Sequence, residues 1–232
     1  MNKLIFSLIC GSLMYTATMT VRAQSELAVG QCSKKKSGTD LPVFIGVGIR
    51  SLSVKPLNDA LKNKGLAEIN PNPFFFQFGY SPKSEKFVHN IKFHFFSPTS
   101  EKGENKTQLS GGGFSYDFGY KILKNDKMCL YPYLGLSYMA YTFETVQKSD
   151  AKSFEEVYNQ SLVNRRFENY GGLDAALGLS YRIKLGKVTM LEIGSGYNLP
   201  LLMSKWRYFN NKIDFPKIDG KGWVIGLNLV LL

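Results

Sequence analysis

The run Leu173-Asp174-Ala175-Ala176-Leu177-Gly178-Leu179-Ser180-Tyr181-Arg182-Ile183 decides the fold. Its odd positions read Leu, Ala, Leu, Leu, Tyr, Ile, and its even positions read Asp, Ala, Gly, Ser, Arg. Successive side chains of a β-strand point to opposite faces, so this segment has one greasy face and one small, polar face. Seven other segments repeat the pattern: 42–52, 73–81, 87–97, 109–122, 128–143, 188–199 and 222–232. In 109–122, for example, Phe114, Tyr116, Phe118, Tyr120 and Ile122 oppose Gly113, Ser115, Asp117, Gly119 and Lys121. Eight such segments predict an all-β fold, an eight-stranded antiparallel up-and-down transmembrane barrel with lipid outside and a polar lumen inside. His89, Pro132 and Ser195 interrupt the apolar face, as happens near membrane edges.

The rival is a soluble barrel whose apolar face points inward around a ligand. Its other face would meet water and carry Lys, Glu and Thr. Here that face is mostly Gly, Ser, Ala and Asn with isolated charges, which suits a crowded interior. A Gly178→Ser change is therefore expected to be mild unless packing at that point is tight.

Connection lengths agree with the membrane reading. Pro82–Lys86, Leu123–Lys127 and Lys184–Lys187 are short, whereas Ser53–Asn72, Pro98–Gln108, Glu144–Glu168 and Pro200–Lys221 are long. Outer-membrane barrels have short periplasmic turns and long extracellular loops, and an even strand number leaves both termini periplasmic. Within the long connections, Pro56–Leu61 and the stretch with Phe154, Tyr158 and Leu162 carry helical spacing.

Residues 1–23 match a secretory signal, with Lys3, an apolar stretch from Leu4 to Cys10 and Ala23 before the cut. Residues 24–41 then form a periplasmic segment, and 42–232 the barrel domain. Mean hydropathy is only −0.14, as expected when half of each strand is lumenal. Removing Lys3 and Arg22 with the leader lowers the net charge from +11 to +9. No nucleic-acid fold signature accompanies that charge, so an envelope rich in anionic headgroups and sugars is the simpler partner.

The leader, the eight strands, the loop alternation and the end Gly226-Leu227-Asn228-Leu229-Val230-Leu231-Leu232 give the chain its family likeness. It resembles the small outer-membrane barrels typified by OmpA and OmpX, and especially the PorT-like barrels of Bacteroidetes. The resemblance implies an outer-membrane location and insertion by the barrel-assembly machinery, among membrane lipid and lipopolysaccharide. It also implies an envelope or secretion protein as partner. The terminal motif departs from the familiar one by ending in Leu rather than Phe. Fold alone does not fix function.

Chemistry on this scaffold has few candidates. No zinc spacing, nucleotide loop or metalloprotease motif is present, so no cofactor is expected. His89 and His94 lie five residues apart, on opposite faces of one strand, and the loops contain no His to serve a hydroxyl nucleophile. The expectation is a non-enzymatic barrel that contributes to envelope structure or presents its loops for adhesion or partner binding. A solute pore and a lipid-modifying enzyme are the alternatives.

Arg50, Lys92, Lys121 and Arg182 face inward with Asp117, Asp174 and Glu192. They form either a gate or a structural network of paired buried charges, with Lys92 and Asp117 the foremost pair. Lys205, Trp206, Arg207, Tyr208 and Phe209 read either as a loop binding site or as part of the aromatic girdle. Cys32 and Cys129 are the cysteines left after the leader, and export predicts that they pair as a disulfide.

Overall fold

The computed structural model describes residues 42–82, 84–125, 127–147 and 164–231. In chain order its elements are β1 (Val43–Arg50), α1 (Lys55–Asn63), β2 (Phe74–Tyr80), β3 (Phe87–Phe96) and β4 (Thr99–Lys102). They continue with β5 (Asn105–Tyr120), β6 (Leu123–Lys124), β7 (Met128–Gln147), β8 (Arg165–Lys184) and β9 (Thr189–Met203). Last come β10 (Trp206–Tyr208), β11 (Asn211–Lys212) and β12 (Gly222–Leu231).

Eight of these strands close an antiparallel ring. β1 pairs with β2 on one side and with β12 on the other, and β3, β5, β7, β8 and β9 complete the circuit. Both chain ends of the ring and the three short turns lie at one mouth, here the terminal end. The long connections lie at the other, the loop end.

Side-chain parity follows the sequence. Val43, Ile45, Val47 and Ile49 point outward, while Phe44 and Arg50 are buried inside. Leu177, on the outward face of β8, is 60% exposed. A band of such apolar side chains encircles the ring, far beyond the patch a soluble monomer displays. A closed ring also leaves no unpaired strand edge for lipid to meet, the condition for a β-structure that crosses a membrane. On β7 the band runs from Leu130 to Tyr138, roughly 26 Å along the strand and about 20 Å along the normal at the usual tilt.

Beyond that band the strands differ from the sequence reading. β5, β7 and β8 continue to Asn105, Gln147 and Arg165. Alternation persists there with its polarity reversed. Leu109, Met139, Tyr141 and Phe143 are buried on the inner face, while Ser110, Thr142 and Glu144 point outward. Much of the expected loop Pro98–Gln108 is therefore a hairpin of β4 on β5, and Pro200–Lys221 contains the β10–β11 hairpin, which pairs onto β8.

A β-bulge between Met139 and Tyr141 marks the change of regime. Opposite it, Gly171 has φ +112, a conformation glycine tolerates. The kink lets odd-numbered Asn169 and even-numbered Asp174 both turn inward, and Asn169 Oδ1 accepts the Gly171 N–H at 2.8 Å.

The reversed strands have something to bury against. Pro56 sits in the first turn of α1, and Leu57 and Leu61 project one turn apart from the same face. The Asn58 side chain clamps the following loop with two hydrogen bonds to the backbone of Ile69, at 2.9 and 2.8 Å. Thr107 Oγ1 donates to the Ala67 carbonyl at 3.0 Å. Leu52, Val54, Ile69, Leu109, Trp206 and Ile218 thus meet in an apolar core that caps the barrel. The second helical stretch, with Phe154, Tyr158 and Leu162, lies outside the described residues.

Candidate functional site

Two places concentrate chemistry: the lumen and the loop end. In the lumen the strand register builds the contacts. Gly46 of β1 stands opposite both Gln77 of β2 and Asn228 of β12. A Cβ on Gly46 would occupy the place of the Asn228 amide, so glycine lets Gln77 Nε2 donate across the row to Asn228 Oδ1. Asn228 Nδ2 in turn donates to Glu192 Oε1 at 3.0 Å.

Glu192 is the hub. Its Oε2 accepts from the Tyr131 hydroxyl at 2.6 Å and from Arg182 Nε, directly opposite on β8. The Arg182 Nη2 donates to Ser81 Oγ at 3.0 Å and Asn90 Oδ1 at 2.9 Å, and its guanidinium lies 5.2 Å from the Tyr131 ring centre. Lys92 Nζ lies 2.7 Å from Asp117 Oδ2 and 5.5 Å from the Tyr133 ring centre. Each of these charges is thus paired, and Glu192, Arg182 and Lys92 are further hydrogen-bonded or faced by a ring, which favours keeping ions in a narrow interior.

The other inward charges behave differently. Arg50 and Asp174 are buried near the cap and form no ion pair among the described residues. The Nε and Nη2 of Arg50, Oδ1 of Asp174, Oγ of Ser137 and Oη of Tyr141 have no hydrogen-bond partner among the described residues. A cavity of about 60 Å³ adjoins Arg50 and Ser137, room for a few waters with polar partners. Lys121 falls outside the network altogether. It lies beyond β5 at the terminal end, where its ammonium donates to the Ser84 carbonyl.

Sequence reasoning singled out charges and missed the uncharged members Gln77, Asn90, Tyr131 and Asn228. Their signal was available: each stands on the inward parity of its strand. It also missed that His94 Nε2 meets Ser115 Oγ at 2.8 Å inside the lumen, because cross-strand register was needed to see it. His89 faces outward, 2.7 Å from the Tyr116 hydroxyl. Ser115 and His94 resemble a nucleophile and its base, but no third side chain among the described residues bonds to His94.

At the loop end the five-residue cluster separates. Trp206 is only 5% exposed and stacks on Phe215 with ring centres 4.5 Å apart. It is therefore neither girdle nor exposed hot spot, because β10 turns it into the cap. Arg207 lies 4.8 Å from the Tyr170 ring centre, and Tyr208 packs on Phe167. Lys205 is exposed, and Phe209, at the hairpin tip with φ 50, is 78% exposed. Cys129 is buried on the inward face near the terminal end and forms no disulfide among the described residues; its expected partner Cys32 lies outside them.

No protein-family model matches the chain, and no curated protein does. Solved structures that resemble it are outer-membrane barrels. The attachment invasion locus protein Ail of Yersinia pestis is 12% identical with a TM-score of 0.39, over 83% of this chain and 98% of that one. A major outer membrane protein of Thermus thermophilus is 12% identical with a TM-score of 0.47, over 82% and 97%. The N-terminal barrel domain of Pseudomonas aeruginosa OprF is 8% identical with a TM-score of 0.38, over 83% and 96%.

Proposed function

We propose that the protein is an integral outer-membrane barrel without enzymatic activity, with both termini periplasmic, that works through its loop end as an adhesion or partner-binding surface. The observation that carries this reading is the reversal of polarity along β5, β7 and β8. Below the bulge the outer face is apolar and suits lipid, and above it the outer face is polar and suits water. A helix, two hairpins and a shared apolar core hold the loop end in one arrangement. Barrel closure alone does not require that much structure, whereas a recognition surface does.

Transport fits less well. The eight-stranded lumen is crossed by the Glu192 and Lys92 networks and covered by the cap. The PorT-like resemblance makes a component of protein secretion one choice of partner within this reading. In detergent the folded chain should migrate faster unboiled than boiled, and in planar bilayers it should pass no steady ion current. A steady single-channel current would replace the binding reading with a pore.

A further inference from the structure

A second cavity, of about 360 Å³, opens at the base of the last loop. That volume lies at the lower end of the range for small-molecule sites. One part of its wall is apolar, with Trp206 and Phe215 stacked beside Ile213 and Ile218. Lys205, Lys212 and Lys217 line it, with Asp214 as its carboxylate. Lys217 pairs with Asp219 at 3.3 Å, while Lys205 and Lys212 form no ion pair among the described residues. Over residues 204–221 the basic side chains are Lys205, Arg207, Lys212, Lys217 and Lys221, against Asp214 and Asp219.

Its height relative to lipid follows from register. Leu202 of β9 pairs with Leu173 of β8 and is 66% exposed, with Leu201 also exposed beside it. These are the last outward leucines of β9. The chain continues up the side of β8, where the Ser204 N–H donates to the Gly171 carbonyl at 3.1 Å and Trp206 stands opposite Asn169. Three residues separate Leu202 from Lys205, roughly 10 Å along the strand and about 7 Å along the normal after tilt. The headgroup layer on each side of the hydrocarbon is roughly 5–8 Å deep. Lys205 therefore stands in that layer, with leucines in the hydrocarbon directly below.

We propose that this cavity binds the net-anionic, phosphate-bearing headgroup of a lipid from the leaflet on the loop side. The proposal rests on the membrane reading above. Lys205 and Lys212 hold the phosphate, Phe215 and Ile213 receive the apolar root of the headgroup, and the acyl chains lie along Leu201 and Leu202. A soluble anion would gain only exposed, salt-screened contacts to lysines, whereas a lipid also gains the apolar wall and the leucines beneath it.

The test uses the full mature chain folded into phosphatidylcholine bilayers with and without a minor share of phosphatidylglycerol. Lipids retained by the folded protein are then counted by native mass spectrometry. The wild type should retain phosphatidylglycerol over phosphatidylcholine by roughly tenfold or more, given the attraction of each lysine near a charged surface. The triple variant Lys205→Gln, Lys212→Gln, Lys217→Gln should lose that preference, and so should Lys205→Glu alone. The triple variant Lys55→Gln, Lys62→Gln, Lys64→Gln, on and just after α1, should keep it. Undiminished preference in both cavity variants, or displacement of the lipid by millimolar inorganic phosphate, would overturn the proposal. Insertion of the wild type without any preference would overturn the lipid site and leave the membrane reading standing. Failure to insert into either bilayer would overturn both.

Discussion

Along β7, Leu134 and Leu136 face outward beside inward Gly135 and Ser137; a few residues further on, Thr142 and Glu144 face outward beside inward Tyr141 and Phe143. The hydrogen-bonded ladder to β5 is continuous through both regions. What changes is the medium on each side. In the belt the outside is hydrocarbon, so polar side chains turn inward, where Arg182 pairs with Glu192 and Lys92 with Asp117. In the extension the outside is water, so the apolar residues turn inward against the cap. One strand therefore satisfies two opposite rules of burial, and the chain uses the Gly171 bulge where it passes from one to the other.

The contrast breaks most severely at the lumenal hub. Glu192→Ala leaves Arg182 buried without its carboxylate and should cost about 3–5 kcal/mol. Urea titration of the barrel in lipid vesicles, read by gel mobility, measures it. Lys55→Ala, which removes the exposed pair with Asp59 at 3.0 Å, should leave the same curve unchanged.

The cap is the next place to press. Leu109 is fully buried there, so Leu109→Ala should cost about 2–5 kcal/mol. Much of that loss should fall on the loop end alone. Protease should then cut between residues 51 and 73 while the membrane belt keeps its heat-modifiable mobility. Simultaneous loss of both would join two regions that the account treats as separate cores.

The outer face gives a sharper pairing. Leu177→Arg places a charge in the lipid belt and should cost roughly 2–4 kcal/mol. Thr142→Arg, also outward but above the bulge, should change stability by less than about 0.5 kcal/mol. Tolerance at Leu177 with damage at Thr142 would invert the assignment of the two regions.

The smallest effect tests the lumen's packing. A Cβ on Gly178 would run into the Tyr133 ring and the Ser195 carbonyl, so packing there is tight. Gly178→Ser should accordingly cost about 1–3 kcal/mol by overpacking. Gly186, in a short turn with open space around it, should accept Ser without measurable loss in the same vesicle assay.

The belt was legible in sequence because lipid imposes the same period-two demand on every strand, and Phe114 to Ile122 or Trp223 to Leu231 show it without interruption. The cap was not, because Leu52, Val54 and Ile69 of the first long connection meet Ile218 of the last and together show no regular period. Their partnership exists only after closure brings the loop end together. The reversal was written in Leu109, Tyr141 and Phe143, but apolar residues at strand ends read as strand alone until the inward side is known. Trp206 misled for a related reason: an aromatic residue between Lys205 and Arg207 has the same spelling in a girdle, a binding surface and a core. Lys92, Asp117, Arg182 and Glu192 were legible as inward charges, whereas Lys121, read on the same parity, lies beyond β5 and bonds to the Ser84 carbonyl. Their uncharged partners needed register, which connects Gln77 to Asn228 through a gap of 151 positions.

The central claim is that lipid ends and water begins at the bulge. Single cysteines at Leu134, Leu136, Tyr138, Ala140, Thr142 and Glu144, in a chain lacking Cys32 and Cys129, sample one outward face through that level. Each is labelled in intact vesicles with a membrane-impermeant maleimide and, separately, reported by a lipid-dissolved quencher. The account predicts quenching without labelling at Leu134 and Leu136, a crossover at Tyr138 to Ala140, and labelling without quenching at Thr142 and Glu144. Uniform labelling from Leu134 to Glu144 would contradict it.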